Sequence, residues 1–373
     1  EKMGAMARFG TAAGVSLAEQ NGDLPLKNWS MGSWPEEIRN ITGEAMAETI
    51  LKGSWGCVAC PIRCGRDVAF DGIEGAGPEY ETIGSLGSTC GVSDIVAVSQ
   101  GNVLCNAYSL DTIGAGVTIA FAMECYEAGL ITKEDTGGVD LRFGNGDAMI
   151  AMIEQIARRQ HIGAILAEGT DVAAKKIGRG AEQFSVAVKN QALPMHEPRF
   201  KRGLAIGYAV SPTGADHCHS LHDSGLINPD ANGWMPNPRL RGMGMLEPIP
   251  LEDLGPQKVR ATMYHSMWAL ALNCMVMCLM PGWGPSELAQ IMNAGTGWDV
   301  SETELYKVGE RAMTLARVFN MREGLTIDDD HLPERSYGPT RGGALAEGGI
   351  DREELREAMH TYYAMMGWDR ETG

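Results

Sequence analysis

The chain has 373 residues, of which 44% are hydrophobic and 21% are charged, an ordinary composition for a globular protein large enough for two domains. Its formal net charge of -17 at pH 7 argues against nucleic acid and anionic membranes as partners, because both bind basic surfaces. The nine cysteines are odd in number and too few for a disulfide scaffold. We therefore expect a reducing compartment, the cytoplasm, with some thiols bound to metal.

Neither a membrane-spanning segment nor a secretory signal is predicted. The longest apolar run, residues 267–280, is too short to cross a bilayer and contains Asn273. The chain begins Glu1-Lys2-Met3, without an initiating Met or an apolar signal region. We therefore expect it to be a piece of a longer protein.

Hydrophobic periodicity predicts a mainly helical first half. Residues 1–40 are rich in Gly, Asn, Pro and Trp, which is typical of irregular structure. Helices are predicted at 12–19, at 43–52, from Pro78 onward, twice within 93–129, and at 145–159. Short strands are predicted at 186–188 and at 68–73, where a turn is the alternative.

The second half is also predicted to be helical. A long loop with many Gly and Pro residues is predicted from Asp223 to Gly255, and such loops inside compact domains tend to be functional. Ser301 and Glu304 have the spacing of a capping box. The predicted helices are 202–210, 257–280 as the longest, 285–293, 301–320 and 351–366. The predicted fold class is mainly α and multihelical.

Three cysteines, Cys57, Cys60 and Cys64, have the spacing C-x2-C-x3-C. This spacing lets one short loop present three sulfurs to a single metal centre. Iron-sulfur clusters are commonly held by four thiolates, and Pro61 next to a ligand helps to hold such a loop. A lone zinc ion usually takes two C-x2-C-like pairs or a mixture of Cys and His. The loop therefore predicts a 4Fe-4S cluster with a fourth ligand elsewhere.

Short motifs spread over nearly the whole chain resemble the tungsten-dependent aldehyde ferredoxin oxidoreductase family. Besides the cysteine loop at 57–64, they are FGTAAG at 9–14, LPLKNW at 24–29, GPEYET at 77–82, LDTI at 110–113, GADH at 214–217, FNMREG at 319–324, LPER at 332–335 and GWD at 367–369. The resemblance implies domains 2 and 3 of that family, here residues 1–185 with the cluster loop and residues 186–373. The family's β-rich N-terminal domain is expected to be absent from this chain.

The resemblance also implies two cofactors. In this family the helical domains supply the cluster ligands and the substrate cavity, and the N-terminal domain forms a base for a tungsten bis-pterin cofactor. Carried over by motif, the cluster ligands are Cys57, Cys60, Cys64 and a cysteine that ends a D-x-x-G-L-C motif. The matching stretch, NCMVMC at 273–278, implies Cys278. Cys274 is the rival, because the predicted helix puts it one turn away on the same face.

Three residues are expected to bind the pterin by the same comparison: Asn106, Asp111 and Asn273. The family motif D-x-x-G-L-D matches NAYSLD at 106–111, so Asn replaces the first acid of both motifs. An amide can still accept a hydrogen bond from a pterin amine through its carbonyl. It lacks the charge assistance of a carboxylate.

Near the metal, the family places a Glu and a His that match Glu81 and His217. Oxidation of an aldehyde to an acid adds oxygen from water and releases protons, and a Glu in a low-dielectric cavity or a His can carry them near neutral pH. Glu81 is expected to take the proton from attacking water. His217 is expected to polarise or position the substrate oxygen. The alternative for Glu81 is a first-turn acid stabilised by the helix macrodipole.

Other residues have plainer interpretations. Because Cys218, His219 and His222 lie near His217, a separate zinc or iron site is the alternative for this group. The acidic run 328–330 is expected to be a solvated turn. Residues expected to be structural are His161, His196, His265 and His360, and the buried Cys90, Cys105 and Cys125.

The resemblance implies an anaerobic cytoplasmic oxidoreductase. Aldehyde and water would become a carboxylic acid, and electrons would pass through the cluster to a ferredoxin or an iron-sulfur subunit. A second interpretation is the tungsten subunit of an ATP-independent benzoyl-CoA reductase. A third, from another class, is an inactive helical cluster-binding fragment. A homodimer is compatible with the sequence, which identifies no interface helix.

Overall fold

The computed structural model describes residues 2–227 and 243–373. In these ranges helices dominate, as predicted, and the named strands form two small antiparallel sheets. The chain divides into two compact units, one of residues 1–197 and 333–349 and the other of residues 198–332 and 350–373. The assignment of residues 1–185 and 186–373 to two family domains stays a prediction.

The first unit contains nearly all of the predicted helices of the first half. Its α-helices are α1 (Lys2–Phe9), α2 (Val15–Asn21), α3 (Gly43–Thr49), α4 (Tyr80–Thr82), α5 (Ile95–Tyr108), α6 (Thr112–Glu127), α7 (Gly146–Arg158), α8 (Gly163–Leu166) and α9 (Thr170–Ile177). Its 3-10 helices are Gly10–Gly14, Glu37–Ile41, Ala181–Phe184 and Glu334–Tyr337, and a π-helix, Ile83–Ser88, follows α4.

Polar caps fix the central helices of this unit. The Asp94 side chain accepts hydrogen bonds from the first amides of α5, and Asn145 does the same for α7, which satisfies amides that have no partner within the helix. The helix α6 packs against the π-helix, and any side chain at Gly116 would clash with Ser85. This close approach holds the segment that begins at Glu81.

A three-stranded antiparallel sheet carries the cysteine loop. Its strands are β1 (Leu51–Trp55), β2 (Gly65–Phe70) and β3 (Ile73–Ala76), in the order β1-β2-β3. The pair Trp55 and Gly65 closes the sheet at the base of the loop. The predicted helix 43–52 is therefore wrong beyond Thr49, because its last residues pair with β2 instead. A second sheet pairs β4 (Ala187–Val188) with β5 (Gln191–Ala192).

The second unit is built around one buried helix. Its helices are α10 (Arg202–Val210), α11 (Pro256–Cys274), α12 (Pro285–Thr296), α13 (Glu302–Arg322) and α14 (Arg352–Met365), with 3-10 turns at Asp223–Leu226 and Ile327–Asp329. The helix α11 packs against α10, α13 and α14, and Gly309 lets α13 approach the α11 backbone closely. The predicted capping box of Ser301 and Glu304 is confirmed at the start of α13.

The C-terminal end of α11 differs from its prediction. The last helical residue is Cys274, and Val276 then has a left-handed backbone with a φ of 55°. The amide of Met277 donates to the carbonyl of Leu272 at 2.9 Å. The amide of Val276 donates to the carbonyl of Asn273 at 3.0 Å, which completes a Schellman C-cap. The predicted continuation of this helix is therefore wrong, and the longest described helix is α13.

A buried ion pair ties together the parts of the predicted long loop that the structure describes. The Lys258 ammonium contacts the Asp223 carboxylate, and both side chains are fully buried. Lys258 also donates to the carbonyls of Pro250 and Leu251, at 2.9 and 3.3 Å. Asp223 accepts from the amide of Gly203 at 3.1 Å. Lys258 thus joins the two described ends of the predicted loop, at Asp223 and at residues 250–251. The middle of the predicted loop, residues 228–242, lies outside the described residues.

Replacing Lys258 with Met is expected to lower the free energy of unfolding by about 3–5 kcal/mol, because Asp223 would stay buried without its counter-charge. Chemical denaturation followed by circular dichroism measures this change. Replacing both residues, as D223L/K258M, should recover much of the loss. Lys307→Met is the control, since the exposed pair Lys307 and Glu310 should contribute at most about 1 kcal/mol. An equal effect of the two single substitutions would contradict the account.

Within the described residues, no single helix has the length and apolar character needed to cross a bilayer. The helices α5 and α6 meet that criterion only when taken together, and they are bent by 118° at the break between them.

Candidate active site and metal-binding cysteines

The three clustered cysteines lie in the loop between β1 and β2. Left-handed backbones at Ala59 and Arg63, with φ of 59° and 52°, curl this loop. The amide of Cys60 donates to the carbonyl of Cys57 at 3.0 Å, which makes a tight turn between two sulfur-bearing residues. The predicted trio is therefore presented by one short loop, with two of its three sulfurs on a single tight turn.

The chemistry of this loop fits thiolate ligands. Cys57, Cys60 and Cys64 are not in disulfides; Cys57 is exposed, and the other two are partly exposed. Backbone amides of Arg63 and Ile62 lower the pKa of the Cys60 thiol below its ordinary value, because N–H groups that point at sulfur stabilise the thiolate. Such donors are also typical around cluster sulfurs.

A buried arginine holds the loop to the N-terminal helix. The Arg66 guanidinium donates to the carbonyls of Ala7 and Arg8, at 2.9 and 2.8 Å, and also to the carbonyl of Arg63. Burial lowers the pKa of Arg66, and the nearby carboxylate of Glu79 opposes this effect. The guanidinium of Arg66 therefore places a positive charge next to the cysteine loop and connects the loop to α1.

The predicted fourth ligand, Cys278, lies beyond the end of α11 and is exposed. Its sulfur accepts a hydrogen bond from the amide of Met280 at 3.4 Å. Cys274 is the last residue of the helix, so the expected arrangement of both cysteines on one helix face is wrong. Between them, Val276 has a left-handed backbone and is 92% exposed. A β-branched residue in this conformation is an outlier, and such outliers cluster at functional sites.

Glu81 lies in the single turn of α4 that leads into the π-helix. One carboxylate oxygen, Oε2, accepts a hydrogen bond from the amide of Met195 at 2.8 Å. The other, Oε1, is 3.3 Å from Nε2 of His196, and the Glu81 side chain is only 17% exposed. A first-turn acid at a helix N-terminus would need neither contact. Glu81 is therefore fixed by its tertiary contacts, and π-helical segments are frequent at functional sites.

His196, which the sequence analysis treats as structural, contacts this predicted catalytic acid. Its other ring nitrogen, Nδ1, is 3.1 Å from Oδ2 of Asp23. The Tyr80 ring stacks on the imidazole, with ring centres 4.9 Å apart and an angle of 16° between the planes. One sequence signal could have indicated this role: Pro194 and Pro198 flank His196 and restrict the backbone that carries its ring.

A second partly buried acid, Glu79, lies two residues before Glu81. Burial raises the pKa of Glu79 above its ordinary value, although hydrogen bonds from Thr11 and the charge of Arg66 act in the opposite direction. The Thr11 hydroxyl contacts the Glu79 carboxylate, and the Tyr80 amide donates to that hydroxyl at 2.8 Å. Glu79 therefore anchors the start of α4, a role that depends on Thr11 and Arg66 and that no local sequence pattern indicates.

His217 lies in the irregular segment after α10, in the second unit. Its Nε2 is 3.6 Å from the sulfur of Cys218. Its carbonyl contacts Nε2 of His222 at 3.1 Å, while Nδ1 of His222 contacts the Lys201 ammonium at 3.3 Å. Both ring nitrogens of His222 are therefore occupied within the protein. The ligand atoms of Asp216, His217 and Cys218 lie within 4.8 Å of one another, so the alternative zinc or iron site stays a prediction for His217 and Cys218.

Asp216 organises the backbone around His217. Its Oδ1 accepts from the amides of Cys218 and His219, at 2.7 and 3.2 Å, and its Oδ2 is 2.9 Å from Nδ1 of His219. Burial alone would raise the pKa of Asp216, but the hydrogen bonds and charge of His219 and the Cys218 amide bring it below its ordinary value. His219 in turn contacts the amide nitrogen of Asn273 through Nε2.

The three predicted pterin-binding residues all have exposed side chains. Asp111 caps α6, because Oδ2 accepts from the amide of Gly114 at 2.6 Å. Asn106 lies in the last turn of α5, just before that cap. Asn273 is held by its amide nitrogen through His219, so its carbonyl oxygen is the atom that can accept from a pterin amine. Each of the three side chains carries an oxygen that can accept a hydrogen bond from a pterin amine.

Comparisons with known proteins identify the family of this chain. A family model described as aldehyde ferredoxin oxidoreductase, domains 2 and 3, matches residues 1–373. The tungsten-containing aldehyde ferredoxin oxidoreductase of Pyrococcus horikoshii is 33% identical over 380 residues, and that of Pyrococcus furiosus is 32% identical over 378 residues. Each alignment covers 98% of this chain and 58% of the relative, so the chain spans little more than half the length of these relatives.

A solved structure has the same fold. The active site complex BamBC of benzoyl coenzyme A reductase, in complex with 1,5-dienoyl-CoA, superposes with a TM-score of 0.76 over 94% of this chain and 56% of that chain. The two sequences are 19% identical, so this likeness concerns the fold alone. Because the family model extends over the whole sequence, this chain belongs to the aldehyde ferredoxin oxidoreductase family, of which it contains domains 2 and 3.

Proposed function

We propose that the complete protein is a tungstopterin oxidoreductase that oxidises aldehydes to carboxylic acids and delivers the electrons to a ferredoxin or another iron-sulfur protein. The observation that carries this proposal is the match of the whole chain to the family, combined with the cysteine loop. A cytoplasmic, anaerobic setting accords with free, exposed thiols.

The cysteine loop and Cys278 are proposed to hold a 4Fe-4S cluster. Three sulfurs on one short loop, and amides directed at the Cys60 sulfur, support thiolate ligation there. The amide of Met280, which donates to the Cys278 sulfur, supports this residue over Cys274 as the fourth ligand. Asn106, Asp111 and Asn273 would hold the pterin by hydrogen bonds.

When bound, the tungstopterin would take the two electrons from the aldehyde. The chain's own residues would handle protons and position the substrate. Glu81, fixed by the Met195 amide and by His196, would accept the proton from attacking water. His217, on a segment organised by Asp216, would donate a hydrogen bond to the substrate oxygen.

The benzoyl-CoA reductase alternative gains no specific support from the residues of this chain, because the likeness to the solved complex is one of fold. The third interpretation, an inactive cluster-binding fragment, applies only to these 373 residues when they are produced by themselves. Since the chain spans 58% of the length of its relatives, the activity is proposed for the complete gene product.

Anaerobic kinetics test the proposal. The complete gene product is assayed with short aliphatic and aromatic aldehydes, with oxidised ferredoxin or a low-potential viologen dye as acceptor. We expect aldehyde-dependent reduction of the acceptor with stoichiometric formation of the acid. Reduction of an aromatic CoA thioester, without turnover of any aldehyde by tungsten-loaded protein, would instead support the benzoyl-CoA reductase alternative.

A further inference from the structure

Three side chains from distant parts of the first unit lie in a row of close contacts between charged or ionisable groups. Asp23 follows α2, Glu81 lies in α4 and His196 follows β5. Oδ2 of Asp23 is 3.1 Å from Nδ1 of His196, and Oε1 of Glu81 is 3.3 Å from Nε2 of the same ring. The imidazole therefore bridges two carboxylates, one at each ring nitrogen.

The bridge is rigid and largely shielded from water. The exposed fractions of the three side chains are 7% for Asp23, 14% for His196 and 17% for Glu81. Tyr80 stacks on one face of the imidazole, and its hydroxyl donates to the Met195 carbonyl at 2.8 Å. The Met195 amide fixes the second oxygen of Glu81. Neither the ring nor the carboxylate of Glu81 can turn without breaking these contacts.

The arrangement determines what the ring can carry. A carboxylate is an acceptor, so a carboxylate at each ring nitrogen favours a hydrogen on both. The ring is then an imidazolium whose positive charge lies between two negative charges. In a shielded site such a counter-charge favours the ionised form of a carboxylate over its neutral form.

We propose that His196, held in place by Asp23, is the positioning residue of Glu81. It fixes the direction of Oε1 and supplies the positive charge that keeps Glu81 ionised and able to accept a proton. This role rests on the proposed function of Glu81 as the base. No bond to carbon or metal and no electron is involved, because His196 acts only through its charged contact with Oε1.

Nitrogen-15 NMR of histidine rings tests the protonation that the geometry requires, without any turnover. The complete gene product is labelled at its histidine ring nitrogens, and H196Q identifies the His196 signals. At pH 7.5 we expect both nitrogens of His196 to carry hydrogen. In Glu81→Gln and in Asp23→Asn, we expect the ring to become neutral. A neutral His196 ring in the unsubstituted protein would overturn the proposal.

Kinetics separate positioning from simple structural support. We expect His196→Leu to lower kcat by about 10²-fold or more with little change in KM, because the base loses both its orientation and its counter-charge. H196Q retains a hydrogen-bond donor near Nε2 without the charge and should be intermediate. In the E81Q background, H196L should cause little further loss, since both act through one base.

His161→Gln is the matched control, because His161 is an exposed histidine of the same unit. Independent, multiplying losses from E81Q and H196L would show that His196 supports the fold alone and would overturn the proposal. If the protein oxidises no aldehyde, the proposed function fails, while the NMR result still decides whether Asp23, His196 and Glu81 share their protons as described.

Discussion

Glu81→Gln is expected to lower kcat for aldehyde oxidation by about 10²–10⁴-fold, the range for loss of a general base. Gln has the same shape as Glu, so its carbonyl oxygen can still accept from the Met195 amide and its amide nitrogen can face His196. The fold should therefore survive, while the group that takes the proton from water is gone. Steady-state kinetics and thermal unfolding measure the two effects separately.

Glu44→Gln is the control for the macrodipole alternative. Glu44 is the first-turn acid of α3 and is exposed, so its loss should cost about 0.3–1 kcal/mol of stability through the helix macrodipole and leave kcat unchanged. If Glu81→Gln behaves in the same way, Glu81 is only a helix-stabilising acid. A large fall in kcat at nearly unchanged stability supports the catalytic role.

Cys60→Ala is expected to abolish assembly of the cluster. The family-type cluster would contain about four irons held by four thiolates, and Cys60 is the proposed ligand whose sulfur accepts from two backbone amides. Iron and sulfide analysis, together with the visible absorption of the protein, should show loss of most or all of the cluster and of aldehyde-dependent electron transfer.

Cys90→Ala is the matched control, because burial raises the pKa of the Cys90 thiol and its sulfur lies in the core. It should retain a full complement of iron. Cys278→Ala should behave like Cys60→Ala, and Cys274→Ala should behave like the control. Loss of iron in Cys274→Ala with retention in Cys278→Ala would reverse the assignment of the fourth ligand.

Local rules were sufficient for much of the fold. The caps of α5, α7 and α13 are short-range features, because Asp94, Asn145 and Ser301 accept from amides two or three residues further along. Of these, the capping box at Ser301 was predicted from its spacing with Glu304. The end of α11 could not be predicted in this way, because the stop occurs at Val276, a residue type that disfavours the left-handed conformation. Apolar periodicity continues past this point, so the pattern predicts too long a helix.

The acidic run 328–330 shows a second limit. It was expected to be a solvated turn, yet Asp330 is buried and accepts hydrogen bonds from Arg317 and Tyr363, at 2.6 Å each. These partners are distant in sequence, and no local pattern reveals them. Arg317 of α13 also donates to the carbonyl of Gly373 at 3.0 Å. The hydrogen bond from Arg317 to Gly373 therefore connects the last residue of the chain to α13.

The candidate site also has one part that the sequence predicts and one part that only the fold reveals. The cysteine loop is local, and its spacing predicts its chemistry directly. The surroundings of Glu81 depend on Asp23 and His196, which lie far from it in the chain. A sequence pattern can indicate that a residue is polar or metal-binding, but only the fold shows that one imidazole lies between two carboxylates.

The most direct test of this account is analysis of iron, sulfide and tungsten in the complete gene product, purified without oxygen. We expect about four irons per chain, with matching sulfide, and tungsten in a stoichiometric amount. The iron should be lost in Cys60→Ala. Absence of iron, with the thiols of Cys57, Cys60 and Cys64 all free to react with an alkylating reagent, would contradict the cluster and the electron route proposed through it.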